Sequence, residues 1–152
     1  MRELTEDDKE TIYLSLLHLG VVRWTKSSRR MEYAMRYVIQ HDDIQNMQVI
    51  ELYVDVAKMD RCKWKAVERS LRYMLNSMWK DYESECAMLF YHSATPVQKP
   101  TMAQFLYIYK QEYERGNIRK WNNSIAIPLF SSLSEACHFD RLSDETDVGI
   151  DF

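Results

Sequence analysis

The chain has 152 residues, 46% of them hydrophobic, and its 20 Lys and Arg against 23 Asp and Glu give a net charge of −3. That length fits one domain with a real core, and three glycines with three prolines favour helices over a sandwich or barrel rich in tight turns. No apolar run approaches the ~20 residues that cross a bilayer, MRELTEDDKE is no signal peptide, and three cysteines without CxxC spacing point to a reduced, cytoplasmic chain.

Thr5 followed by Asp8 reads as a capping box, and Ile12, Leu16, Leu17 and Leu19 line a first helix that Gly20 ends. VVRWTKSS reads as a loop. A second helix, about Arg29 to His41, is expected to bury Met31, Ala34, Met35, Val38 and Ile39 and to show Arg30, Glu32, Arg36 and Gln40 to water. Residues 46–58 make a third helix through Val49, Leu52, Tyr53 and Val56. A short polar connection then leads to CKWKAVERSLRYMLNSMW, residues 62–79. Further helices are expected near Ser84 to Tyr91 and over Thr101 to Tyr113, the latter started by Pro100 and Thr101. After Gly116 the character changes: residues 117–134 are mixed, with Pro128 barring a long helix. Six acids from Glu135 to Phe152 face only Arg141, which predicts a mobile or loosely docked acidic tail. The division is therefore a helical domain over 1–116 and an extension over 117–152.

The segment 62–79 has two opposite faces. Val67, Leu71, Met74, Leu75 and Met78 form a core-facing stripe. Lys65, Arg69, Arg72 and Asn76 fall on the other side, flanked by Glu68 and Tyr73. From Lys58 to Lys80 seven cations meet only Asp60 and Glu68, so a net-acidic chain carries one strongly basic segment. Two helices joined by a short connection, the second basic outside, suggest a helix-turn-helix, and Ala57 and Val67 have its ten-residue packing interval. The glycine common in such turns is missing. An amphipathic helix with a merely solvated basic face fits the spacing equally well.

Enzyme readings find less support. His18, His41, His92 and His138 are scattered, and Cys137-His138 and Cys86 with His92 lack zinc-site partners. The chain has no phosphate-binding glycine loop, nucleophile elbow or HExxH, and Glu83 with Glu85 reads as a solvated pair. No cofactor or metal is expected. The tyrosines near Phe105 could form a partner-binding face, but a core role for Phe105, Leu106 and Ile108 is the simpler account.

LGVVRWTKSSRRMEYAM, LYVDVAKMDRCKWKAVERSLRYMLNSMW and KPTMAQF resemble, in order and spacing, the C-terminal DNA-binding domain of the sporulation-initiation response regulator of endospore-forming bacteria. The family pattern runs LGVP-x-x-x-KG, then LYPDIAK and a polar turn leading to VERAIRHAIEVAW, then KPTNSEF. The resemblance covers about residues 8–113, and Val67 to Arg72 is its most specific part. It implies an all-helical, compact bundle of five to six helices containing a helix-turn-helix, with helix 62–79 entering the DNA major groove. It also implies that Glu68, Arg69 and Arg72 meet base edges or phosphates and that Lys26 grips a phosphate, with Lys63 and Lys65 positioning the helix on the backbone. A carboxylate can accept from the cytosine amino group, and an arginine can bind guanine bidentately.

The departures from the pattern have consequences of their own. Ala66 stands where the family has an arginine, Tyr73 replaces a histidine, and Val54 replaces a proline. The family protein also carries a receiver domain, for which this chain has no room. The expected function is thus a sequence-specific DNA-binding transcription regulator without a receiver. Its expected partners are double-stranded DNA, possible contact with RNA polymerase, and weak self-association on tandem sites. The competing reading is a protein-interaction module that kept the fold and lost DNA reading, which Ala66 and the acidic total favour.

Overall fold

Thr5 takes an extended backbone, accepts from the Asp8 amide through its hydroxyl, and donates from its own amide to the Asp8 carboxylate, so the capping box forms as the sequence predicts. It opens α1, Glu6–His18, in a computed structural model that describes residues 2–21, 23–42, 44, 48–82, 85–86 and 98–124. Gly20 follows at a φ of +93°, and a Cβ there would overlap the Tyr82 ring, so only glycine lets the end of α4 close over the end of α1. Next come α2, Lys26–Gln40, capped by Thr25, α3, Val49–Asp60, and α4, Trp64–Asp81. Thr101 and Gln104 form a second capping box at the start of α5, Met102–Glu114, and α6, Asn117–Ser124, closes the described chain. Among the described residues all regular structure is helical.

One core joins them. Ile12, Leu16, Met31, Met35, Leu52, Val56, Val67, Leu71, Phe105, Tyr109 and Ile118 are fully or nearly fully buried. α2 lies at the centre, packed on α1, α3, α4 and α5, while α3 packs on α4 and α6 bridges α1 and α5. Buried Lys110 on α5 donates to the Val38 carbonyl at 2.7 Å, satisfying one of the last carbonyls of α2.

The apolar stripes fall where expected, save that Val49 and Ile108 are only partly buried and Tyr109 is fully buried, but several polar expectations do not hold. The second helix begins at Lys26, not Arg29, because Thr25 caps it from within the segment read as a loop. Arg30 and Glu32, expected in water, are 3% and 1% exposed. Both are held by opposite charges, Arg30 by Asp60 and Glu32 by Arg36 at 3.4 Å. Residues 117–124, read as part of a mixed stretch, form a helix that buries Ile118. The helix expected near Ser84 to Tyr91, apart from Glu85 and Cys86, and the acidic stretch from Glu135 lie outside the described residues.

Candidate nucleic-acid interface

α3 stops at Asp60, and Arg61, Cys62 and Lys63 form the whole turn to α4. Arg61 adopts the left-handed conformation, φ 54° and ψ 48°, that a glycine would normally supply, and the Cys62 amide bonds back to the Ala57 carbonyl at 3.0 Å. Thus the missing glycine did not abolish the turn; an exposed arginine accepts the strain. Ala57 and Val67 are both buried in the same core, as the ten-residue interval predicts.

The orientation of α4 is fixed from behind. Asp60 receives Arg29 Nε at 2.7 Å on one oxygen and Arg30 Nε at 2.7 Å on the other. Arg30 then donates to the Ser70 hydroxyl on α4 at 2.9 Å. One buried guanidinium therefore ties α2, the end of α3 and the middle of α4 together. Burial raises the Asp60 carboxyl, but the two arginines outweigh it and hold the group below the usual carboxylate range. This clasp was not anticipated. The signals were present: an acid at a helix C-terminus, where the dipole disfavours it, and a serine inside an apolar stripe.

With Ala66, Val67, Ser70, Leu71, Met74, Leu75, Met78 and Trp79 turned inward, the remaining positions face out. Lys63, Lys65, Arg69, Arg72, Tyr73 and Asn76 are exposed, and Glu68 is partly exposed. Lys65 lies over the Trp64 ring at 5.8 Å from its centroid. Glu68 and Arg72 pair at 3.9 Å, one turn apart, and at 64% exposure of Arg72 such a pair contributes only ~0.3–0.5 kcal/mol. Both groups are therefore cheaply released to another partner. Beneath them burial, together with the Glu68 carboxylate, pushes the Tyr53 phenol up, while Arg72 pulls it down.

The structure brings seven of the eight sequence-predicted residues onto one helix and its first flanking position. The eighth, Lys26, is partly buried at the start of α2 and does not lie on this helix. Lys99 was missed. It is exposed and donates to the Asn76 side chain, so a lysine far along the chain extends the basic surface at the second half of α4. Asp60, counted as a negative charge of this segment, is consumed by Arg29 and Arg30 and does not reach the surface charge of α4. Ala66, where the resemblance places a base-reading arginine, is 7% exposed.

Residues 12–112 match the family model described as sporulation initiation factor Spo0A C terminal. The chain belongs to that family. Its members are the DNA-binding effector domain of a sporulation transcription factor, a family of regulators rather than enzymes. Comparison with curated proteins and with solved structures returns no match. No helix among the described residues is long and apolar enough to cross a membrane, and these residues contain no group of His, Cys, Asp and Glu suited to a metal ion.

Proposed function

We propose that this Spo0A C-terminal family chain is a sequence-specific, double-stranded DNA-binding regulator of transcription that lays α4 in the major groove. One observation carries the reading: α4 presents Lys65, Arg69, Arg72 and Asn76 outward on a helix whose inner face is sealed and whose orientation is set by Arg30 and Asp60. Arg69 and Glu68 specify bases; Lys26, Lys63, Lys65 and Arg72 hold phosphates; Tyr73, Asn76 and Lys99 border the contact. Tandem pairing of copies on neighbouring sites, contact with RNA polymerase and a cytoplasmic location belong to the same proposal. Ala66 removes one reading group from the family pattern, so the preferred site differs from the family's at one position.

The test separates reading from holding. Arg69→Ala should lose ~1–3 kcal/mol on a site selected from random sequence and relax discrimination at one base pair. Lys26→Ala should weaken all sequences alike and flatten the salt dependence. Equal losses of both variants on selected and scrambled DNA would reject the roles.

A further inference from the structure

Beside the proposed DNA face, α3 and the turn enclose an open groove of about 450 Å³. Its floor is apolar, made by Val54, Ala57 and Trp64, and its rim is cationic, made by Lys58, Arg61 and Lys63. Ile50, one turn before Val54 on the same helix face, is 41% exposed and lengthens the apolar strip. Phosphate would use the rim and gain nothing from the floor. The surface instead fits an acidic chain with apolar residues interleaved.

The sequence contains one. Residues 139–152, FDRLSDETDVGIDF, set Asp140, Asp144, Glu145, Asp147 and Asp151 among Phe139, Leu142, Val148, Ile150 and Phe152, with Arg141 the sole cation. We propose that this segment of the chain docks in the groove between α3 and the α3–α4 turn, its acids on Lys58, Arg61 and Lys63 and its apolar side chains on Val54 and Trp64. Residues 125–138 supply a tether of fourteen residues after α6. Extended, that tether spans up to about 45 Å, ample for a domain whose radius of gyration is about 14 Å. Screening limits exposed charge pairs, so the apolar contacts hold the segment and the charges select it. The docking does not require the DNA reading to be correct.

Amide NMR of the full chain, without DNA, tests it against two full-chain variants: Ile150→Ser with Phe152→Ser, and Asp144→Asn with Glu145→Gln and Asp147→Asn. Both should shift the amide signals of Val54, Lys58, Arg61 and Cys62 and the Trp64 indole, and leave Gly116 and Asn117 unchanged. Val54→Glu, at a partly exposed position, should reciprocally move the signals of Val148 to Phe152. Unmoved groove signals would overturn the proposal. Shifts confined to Arg69, Arg72 and Asn76 would also overturn it, placing the segment on α4 by charge alone. Shifts that fade on dilution would overturn it in favour of the segment of a second copy.

Discussion

Two buried carboxylates hold the two halves of this domain, and they do so by different logic. Asp8 stands at the N-terminus of α1, where the dipole favours an acid. It bonds Thr5 within its own turn and then gathers Arg2, Tyr113 and Arg119 from elsewhere. Asp60 stands at the C-terminus of α3, where the dipole opposes it, and survives only because Arg29 and Arg30 reach it from α2. The first is a local motif that recruited tertiary partners. The second has no local reason to exist and is wholly tertiary. Its position behind the α3–α4 turn suits a domain whose proposed reading helix must be held at one angle.

The largest expected effect comes from breaking the tertiary clasp. Arg30→Ala strips Asp60 and Ser70 of their shared partner in a buried site, for a loss of ~3–5 kcal/mol in urea unfolding. If the two clasps are independent, the loss should add to that of Asp8→Asn; a large coupling energy in the double variant would show one cooperative unit instead.

The α1–α6 side carries its own pH sensitivity. His18 is buried against Trp121, ring centroids 4.5 Å apart, and burial lowers its pKa from 6.5 to about 4, with the neighbouring Asn122 side chain opposing. A neutral imidazole is therefore favoured in the fold. Its contribution is present above pH 6.5 and is lost as pH falls towards 4, by about 3 kcal/mol. His18→Phe should flatten unfolding free energy over that range; an unchanged slope would move the sensitivity elsewhere. Asp8→Asn acts lower. Burial raises the Asp8 carboxyl, but bonds from Tyr113, Thr5 and Arg2 outweigh it and hold the group far below 3.8. The native state so prefers the carboxylate, with a contribution present above 3.8 and lost as pH drops further. The variant should be ~2 kcal/mol less stable at pH 7, and the gap should narrow below pH 4.

The smallest effect sharpens the comparison at the turn. Arg61→Gly relieves a left-handed, exposed residue and should stabilise the fold by ~0.5–1 kcal/mol. It should also weaken DNA binding slightly, because the turn leading into α4 loses an exposed cation. A variant that is both more stable and unaffected in DNA binding would take Arg61 out of the DNA contact and leave it only the proposed docking of residues 139–152.

Periodicity made the stripes of α1 to α5 legible, and side-chain caps made the starts of α1 and α5 legible, because both depend on residues within a turn or two of each other. The same rule sent Arg30 and Glu32 to water, since polar residues in an amphipathic pattern are assigned outward unless a distant partner is known. Asp60 lies thirty residues from Arg30 in sequence, and nothing local links them. α6 escaped notice because NIRKWNNS is short and mostly polar, and only Ile118 and Trp121 reveal its packing face. On α4 the outward residues were legible from the helix wheel. Lys99 was not, because its place beside Asn76 is set by the path of the chain after α4.

Arg69 and Ser70 are neighbours in sequence and belong to different economies of selection. Ser70 is committed to Arg30 and through it to the fold, whereas Lys65, Arg69, Arg72 and Asn76 project from the surface and make no part of that clasp. A lineage can therefore rewrite the outward set one residue at a time, exploring new recognition with little loss of foldability, while position 70 stays fixed. Position 66 is the exception. Its buried alanine means that an arginine placed there must be accompanied by repacking, so matching the family pattern at that position is a two-step path.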